Sequence, residues 1–314
     1  MQINDSSGST DSGLLGALRP GRLRDHYLFR NLRSSLRLYL SDRLTVVFLA
    51  GFVLVLLAAV FGPMIAPYPP DKVFITSSGE ILKLAHPSGE HLLGTTARGQ
   101  DVFSRLLIGA RPTLFTGLLG GFLVVLIGVT IGVSAGYYGG RVDDVLMRLT
   151  DFVFGIPLIP TAIVLAAYFG VGTWSTILVI GCLLWRNNAR VFRSQVLQIR
   201  EREHVRAAQM LGASDRYVIT RHILPNLGGM IVLFFALGTG LTIIISASLS
   251  FLGFADLSLP SWGLMLRNAY NSGYMASAWW WSLTSGFAIS LTVLCIFMLG
   301  RGYERVHETN VSEF

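Results

Sequence analysis

Charged residues are scarce in this sequence, and long parts of it have none. Asp, Glu, Lys and Arg together make up 14% of the 314 residues, whereas an ordinary soluble domain carries roughly 25%. The stretches without any charged residue are 44–65, 112–138, 152–185, 226–255 and 268–300. A helix needs about 20 apolar residues to cross the hydrocarbon core of a bilayer, and in lipid only helices or closed barrels satisfy every backbone polar group. Runs of this length favour helices, so the sequence predicts an all-α membrane protein.

The sequence also lacks the residues from which most membrane enzymes build a site. Its two cysteines, Cys182 and Cys295, lie far apart within apolar stretches, which indicates neither a disulfide framework nor a metal knuckle. An intramembrane serine protease needs a histidine at membrane depth, but every histidine lies outside the charge-free stretches. No zinc-protease, nucleophile-elbow or nucleotide-binding motif is present. We therefore expect this chain to have no catalytic residues, cofactor or metal, and not to hydrolyse ATP itself.

The five long apolar stretches also lack the acidic and basic side chains that ion-coupled carriers use. Proton-coupled carriers usually hold such groups inside the membrane, where they are paired or face water. Their absence argues against proton coupling, whereas sodium coupling through backbone carbonyls stays open. An ion-coupled secondary transporter is therefore the alternative class, and it predicts transport by this chain without an ATPase.

The run 152–185 is too long for a single crossing, and the residues 170–173 (Gly-Val-Gly-Thr) break it. We predict two crossings there, of which the first is bent by Pro157 and Pro160 because proline removes a helical hydrogen bond. The sequence thus predicts six transmembrane helices in the whole chain. Their predicted bounds are about 44–65, 113–137, 152–169, 174–192, 228–251 and 279–299.

Arginines are concentrated on one side of these segments. Seven precede the first segment and eight lie between the fourth and the fifth. Because cytoplasmic loops carry an excess of Lys and Arg, we expect both termini in the cytoplasm, together with the loop 193–227 and the short tail 306–314. The loop 67–111 is then outside. The net charge of +7 thus reflects orientation in the membrane, and we expect lipid rather than nucleic acid as its partner.

The chain before the first segment has two parts. Residues 1–18 are rich in Ser, Gly and Asp, which predicts a disordered tail. Residues 19–43 predict a basic amphipathic helix in the inner interface, since apolar residues and arginines fall on opposite faces. The transmembrane domain then extends over residues 44–305.

Glycines form a stripe along the second predicted segment. They fall within roughly a third of the helical circumference, and small residues on one face let helices approach closely in lipid. We predict that this face packs against another helix, either of this chain or of a partner. The glycines are Gly117, Gly121, Gly128, Gly132 and Gly136.

Residues 201–227 form a polar, arginine-rich insert before the fifth segment. Glu203 suits the positive end of a first short helix, Gly212 suits the left-handed position that ends it, and Ser214 is a good cap for the next helix. Pro225 is tolerated in the first turn of a helix. This order predicts a rigid helix–turn–helix rather than a merely solvated loop.

Two features of the insert favour contact with a partner. Ala207 and Ala208 are small enough to let a partner approach the backbone of the first helix. Tyr217, Val218 and Ile219 offer an apolar surface on the second.

The insert resembles the EAA loop of ABC importer permeases, whose pattern is roughly E-A-A, three residues, G, nine residues and then I-x-L-P or H-I-x-P. This chain has Arg206, Ala207 and Ala208, then Gly212, then the run His222-Ile223-Leu224-Pro225. Further stretches look like loops of the dipeptide/oligopeptide class of these permeases, and they follow in matching order. The resemblance points to the second, C-type subunit of that class. These stretches are 91–105, 136–148 and 250–263.

The resemblance implies six transmembrane helices with a cytoplasmic coupling helix between helices 4 and 5. It implies a permease subunit of an ATP-driven importer in the bacterial plasma membrane, which forms half of the pathway for di- or oligopeptides. Nickel or another small solute is the alternative cargo. The implied partners are a second homologous permease subunit, two ATP-binding subunits or one two-site ATPase pair, and an extracytoplasmic substrate-binding protein. The residues that would couple to the ATPase are Glu203, Arg206, Ala207, Ala208, Leu211, Gly212, Ala213, Ser214, Asp215, His222 and Pro225.

Three positions depart from the family pattern. Arg206 replaces the signature glutamate of the EAA loop, so the contact that this acid makes is absent or reversed. Thr96 and Gln100 replace an aspartate and an arginine in the outer loop, so outer contacts are expected to differ.

Overall fold

The computed structural model describes residues 42–312, apart from 255, 257 and 258. The described residues are mainly helical, and they contain isolated β-bridges but no extended strand. A π-helical turn, Ile219–Ile223, lies between α7 and α8. The helices are α1 Arg43–Ile65, α2 Val102–Tyr138, α3 Gly140–Gly155, α4 Leu158–Phe169, α5 Thr173–Arg200, α6 Glu203–Met210, α7 Asp215–Val218, α8 Leu224–Asn226, α9 Gly228–Leu252, α10 Trp262–Asn271 and α11 Trp279–Ser312. The predicted tail 1–18 and interfacial helix 19–43 lie outside the described residues, except for the last two positions of the latter.

Four of the described helices, α1, α2, α9 and α11, are long and apolar enough to cross a membrane. A fifth crossing follows if α3 and α4 form one broken span. The predicted six crossings are thus confirmed only as a multi-spanning helical bundle. The helix that contains the predicted fourth crossing, α5, is long, but its apolar part ends at Trp185 and arginines follow.

The predicted third segment, 152–169, is divided between two helices rather than bent within one. The chain breaks between α3 and α4, and the two helices meet at 91°. Pro157 stands at this break as the residue before α4, and it cannot donate a backbone hydrogen bond to the preceding turn. The predicted outer loop 67–111 is also shorter than expected, because α2 already begins at Val102.

The glycine stripe of α2 packs against helices of the same chain. In its second half, a β-carbon added to Gly132 would lie 2.6 Å from the Ala189 carbonyl oxygen, and one added to Gly136 would lie 2.8 Å from that of Arg193. In its first half, Gly121 meets Thr239 in the same way. The stripe therefore allows α2 to pack closely against α5 at one end and α9 at the other, which makes α2 the central helix of the bundle.

The segment between α1 and α2 is held on the bundle by buried polar pairs. His91 Nδ1 lies 2.9 Å from Asp101 Oδ1, and both side chains are almost fully buried. The other oxygen of Asp101 accepts hydrogen bonds of 2.7 Å from the backbone N–H and from the hydroxyl of Ser104. Asp101 thereby caps the start of α2. Arg105 donates to the carbonyl oxygen of Pro70 at 2.7 Å. Because an unpaired buried polar group is costly, these contacts fix the path of the segment.

Candidate functional site

The insert before α9 folds as two short helices joined by a tight turn, which we call the elbow (residues 201–227). Gly212 has φ +80°, a left-handed conformation that side chains disfavour. The Ser214 hydroxyl accepts a hydrogen bond of 3.4 Å from the N–H of Tyr217 and so caps α7. The first short helix therefore ends just before Gly212, and the second begins just after Ser214, as the sequence indicates.

An apolar cluster anchors the elbow to the bundle. Val205 of α6 and Val218 of α7 are fully buried. They pack with side chains at the ends of α2, α5 and α9. The elbow is thus attached to the bundle along its inner side as well as by its two chain ends. The other buried members are Val133, Tyr137, Phe192, Val196, Ile199, Ile223 and Leu227.

Hydrogen bonds add a polar attachment at the end of α2. The Tyr137 hydroxyl donates to Asp215 at 2.8 Å, and Arg200 donates to the Tyr137 carbonyl oxygen at 2.8 Å. Beside them, Arg193 of α5 makes two hydrogen bonds of 2.5 Å to Asp143 of α3. Two parallel bonds from one guanidinium fix orientation as well as distance. Polar contacts therefore join the end of α2 to the elbow and to α5, and a separate ion pair joins α5 to α3.

The outer side of the elbow is apolar at its tip. Met210 and Leu211 are 83% and 88% exposed, and Ala207 is also exposed. Arg206 contacts Glu201 on the neighbouring surface, and both are exposed. Such a tip offers a small apolar contact surface surrounded by charged groups.

The residues of the second half of the elbow take part in local contacts. The His222 ring lies 5.8 Å from that of His204 and 5.7 Å from that of Tyr217. Pro225 is exposed within α8, and α9 begins only at Gly228.

The structure brings the eleven predicted coupling residues together in this one elbow, and it places the five glycines of the stripe along α2, outside the elbow. The expectation that Val218 is available to a partner is wrong, because it is buried in the chain's own cluster. Sequence reasoning also missed Tyr137 and Val205. An apolar residue amid polar neighbours was the available signal for Val205, and nothing local marks Tyr137. Among the described residues no group of His, Cys, Asp or Glu is arranged to hold a metal.

The fold is that of a multi-spanning helical bundle with a firmly anchored elbow whose tip is apolar and exposed. Residues 128–311 match the family model described as "Binding-protein-dependent transport system inner membrane component". Residues 32–87 match the "N-terminal TM domain of oligopeptide transport permease C".

Relatives support the same assignment. The chain is 34% identical to the dipeptide transport system permease protein DppC of Bacillus subtilis over 78% of this chain and 75% of that protein. It is 36% identical to the glutathione transport system permease protein GsiD of Pectobacterium atrosepticum over 80% of this chain and 82% of that protein. It is 35% identical to the oligopeptide transport system permease protein OppC of Bacillus subtilis over 72% of each.

A solved transporter structure shares the fold. Inward-facing MetNI methionine ABC transporter aligns with a TM-score of 0.53 at 16% identity, over 65% of this chain and 95% of that chain. The chain belongs to the family of inner-membrane components of binding-protein-dependent transport systems, and the resemblance to C-type ABC permeases of the peptide class is confirmed.

Proposed function

We propose that this chain is one permease subunit of an ATP-driven importer, and that its elbow transmits movement of the ATP-binding subunits to α9. A second homologous permease completes the pathway, two ATP-binding subunits bind from the cytoplasm, and an extracytoplasmic binding protein delivers the solute. The chain itself does not hydrolyse ATP.

The elbow is the observation that carries this proposal. Its inner side is buried against α2, α5 and α9, whereas Met210 and Leu211 at its tip are almost fully exposed. Burying a side chain of this size in a cleft of a partner is worth about 1.5–3 kcal/mol. Displacement of the tip would move α7 and α8 and thereby the start of α9, which is rigid-body switching of a packed bundle.

The same proposal sets the membrane arrangement. We propose six crossings, in which α4 and the first half of α5 supply the third and fourth. The elbow and both termini then lie in the cytoplasm, in keeping with the arginine-rich ends of α5 and the elbow. Residues 66–101 lie outside, where a binding protein would dock.

For the cargo we propose di- or oligopeptides. The relatives named above are dipeptide, glutathione and oligopeptide permeases, which share peptide chemistry. Nickel or another small solute is the alternative cargo within the same machinery.

The experiment is reconstitution of the complete transporter in proteoliposomes with peptide uptake as the readout. Ala208→Trp and Leu211→Asp are expected to prevent co-purification of the ATP-binding subunits and to abolish ATP-dependent uptake, with normal membrane insertion. Leu92→Asp, a matched change at an exposed leucine outside the elbow, is expected to leave co-purification of the ATP-binding subunits intact. Retention of the ATP-binding subunits at full stoichiometry in both elbow variants would contradict the docking assignment.

The ion-coupled alternative makes the opposite prediction in the same system. It requires that vesicles holding this chain without ATP-binding subunits accumulate solute when an ion gradient is applied. Such accumulation would replace the proposed function.

A further inference from the structure

A cavity of about 770 Å³ lies between α2, the start of α5 and the described residues Asp256, Leu259 and Pro260 ahead of α10. This size falls within the range of about 300–1,000 Å³ that ligand pockets occupy. It lies at the end of the bundle opposite to the elbow, because α5 begins at Thr173 beside it and reaches the elbow at its other end.

The cavity has a polar and an aromatic part. Arg111 and Phe115 lie one turn apart on α2, and both side chains are exposed. Trp174 at the start of α5 is 64% exposed, and its ring meets that of Phe115 edge-on at 5.7 Å. The two rings therefore form one apolar wall next to a guanidinium group.

The start of α5 adds partial positive charge to the same space. Gly172, Thr173, Trp174 and Ser175 all line the cavity. The first N–H groups of a helix have no intrahelical partner and carry the positive end of its dipole. Gly172 supplies no side chain to cap them. The N–H groups at the start of α5 and the guanidinium of Arg111 therefore line the same cavity, and both favour an anionic group.

Formal charge in the cavity is nevertheless balanced. Among the described residues that line it, Arg111 is the one base and Asp256 the one acid. An apolar wall beside a guanidinium group suits an organic carboxylate better than an inorganic anion, since an inorganic anion would gain nothing from the rings.

A narrow crevice continues from the cavity into the bundle. It shares Pro112 and Thr173 with the cavity, and its lining includes the side chains of Thr116, Thr176 and Ser246. Its volume is about 40 Å³, enough for water rather than for a solute side chain. In this conformation a solute in the cavity therefore stops at the hydroxyl-lined crevice.

We propose that this cavity is the outer subsite of the pathway, in which Arg111 and the start of α5 bind the terminal carboxylate of a peptide while Phe115 and Trp174 contact its side chain. This inference rests on the proposed function. It adds that the permease itself recognises the peptide during transport. It predicts that this chain itself, and not only a binding protein, selects solutes with a free carboxylate.

The test uses the complete transporter in proteoliposomes with Cys182 and Cys295 replaced by alanine and with Ser175→Cys, in the lining of the cavity, as a reporter. A tripeptide with a free carboxylate, added directly at saturating concentration, is expected to slow modification of this cysteine by a membrane-impermeant maleimide. The same peptide with an amidated C-terminus is expected to protect weakly, and Arg111→Gln is expected to remove the difference. Equal protection by the two peptides, or protection by neither, would overturn the inference.

Uptake provides a second readout. Arg111→Gln is expected to lower uptake of the free-acid peptide by about tenfold, because a hydrogen bond to a charged group is lost, and Arg111→Lys is expected to retain part of it. Arg148→Gln is the matched control at an exposed arginine of α3, outside the cavity and the elbow, and it is expected to leave uptake unchanged. If the unmodified transporter shows uptake while Arg111→Gln transports at the same rate, only the subsite is refuted. If the unmodified transporter shows no ATP-dependent uptake, the proposed function itself fails.

Discussion

The hydroxyl of Tyr137 donates a hydrogen bond of 2.8 Å to the carboxylate of Asp215, across 78 positions of the chain. Tyr137 is the penultimate residue of α2, and Asp215 is the first residue of α7 in the elbow. The contact therefore joins the central helix of the bundle directly to the segment that we propose to move with the ATP-binding subunits.

Tyr137→Phe removes this bond and keeps the buried ring. A hydrogen bond to a charged group contributes about 1.5–3 kcal/mol, so we expect faster amide hydrogen exchange in α7 and a lower ratio of solute transported to ATP hydrolysed. Tyr138→Phe is the control, since this neighbour is 52% exposed. Equal behaviour of the two variants would mean that the bond does not transmit force.

Substitution of Gly212 tests the turn of the elbow. A side chain there would strain the backbone but would not clash with neighbouring atoms. A β-carbon there would meet nothing within 4 Å, but its φ of +80° is disfavoured for side chains. Gly212→Val is expected to destabilise the turn by about 1–2 kcal/mol and to abolish uptake with normal insertion, whereas Gly212→Asn should retain uptake because Asn adopts this conformation more readily. Uptake at the unmodified rate in the valine variant would count against the elbow as a lever.

The close packing of α2 against α5 can be tested at Gly132. A β-carbon there would lie 2.6 Å from the Ala189 carbonyl oxygen, a backbone atom that cannot rotate away. Overpacking of this kind costs about 1–3 kcal/mol, so Gly132→Ala should lower the Tm of the protein in detergent. Gly286→Ala makes the same change where nothing lies within 4 Å, and its Tm should not fall.

Asp101→Ala tests the segment between α1 and α2. It removes the cap of α2 and leaves His91 without its buried partner. Loss of a cap alone costs about 0.5–2 kcal/mol, so this variant should lose more stability than Asp42→Ala, which removes the cap of α1 at a less buried site. Thermal unfolding in detergent measures the difference, and equal losses would show that the His91 contact adds nothing.

Much of the elbow could be predicted from the sequence because its signals are local. Gly212 and Ser214 act through the conformation and hydrogen bonding of their own backbone, so neighbouring residues were enough to place the stop and the restart. The inward packing of Val205 and Val218 was not predictable in the same way, since it depends on which helix ends lie beneath them.

The sequence by itself determined that the chain is helical and lies in a membrane, since the hydrocarbon core excludes charged groups and unpaired backbone groups wherever they occur. It also determined that the glycine face of α2 must meet a helix, because only small residues permit that approach. Only the tertiary structure decided that this face is shared between α5 and α9, that α3 and α4 meet at 91°, and that Tyr137 binds Asp215. These features depend on contacts between residues far apart in the chain, and no local pattern encodes which distant surfaces come together.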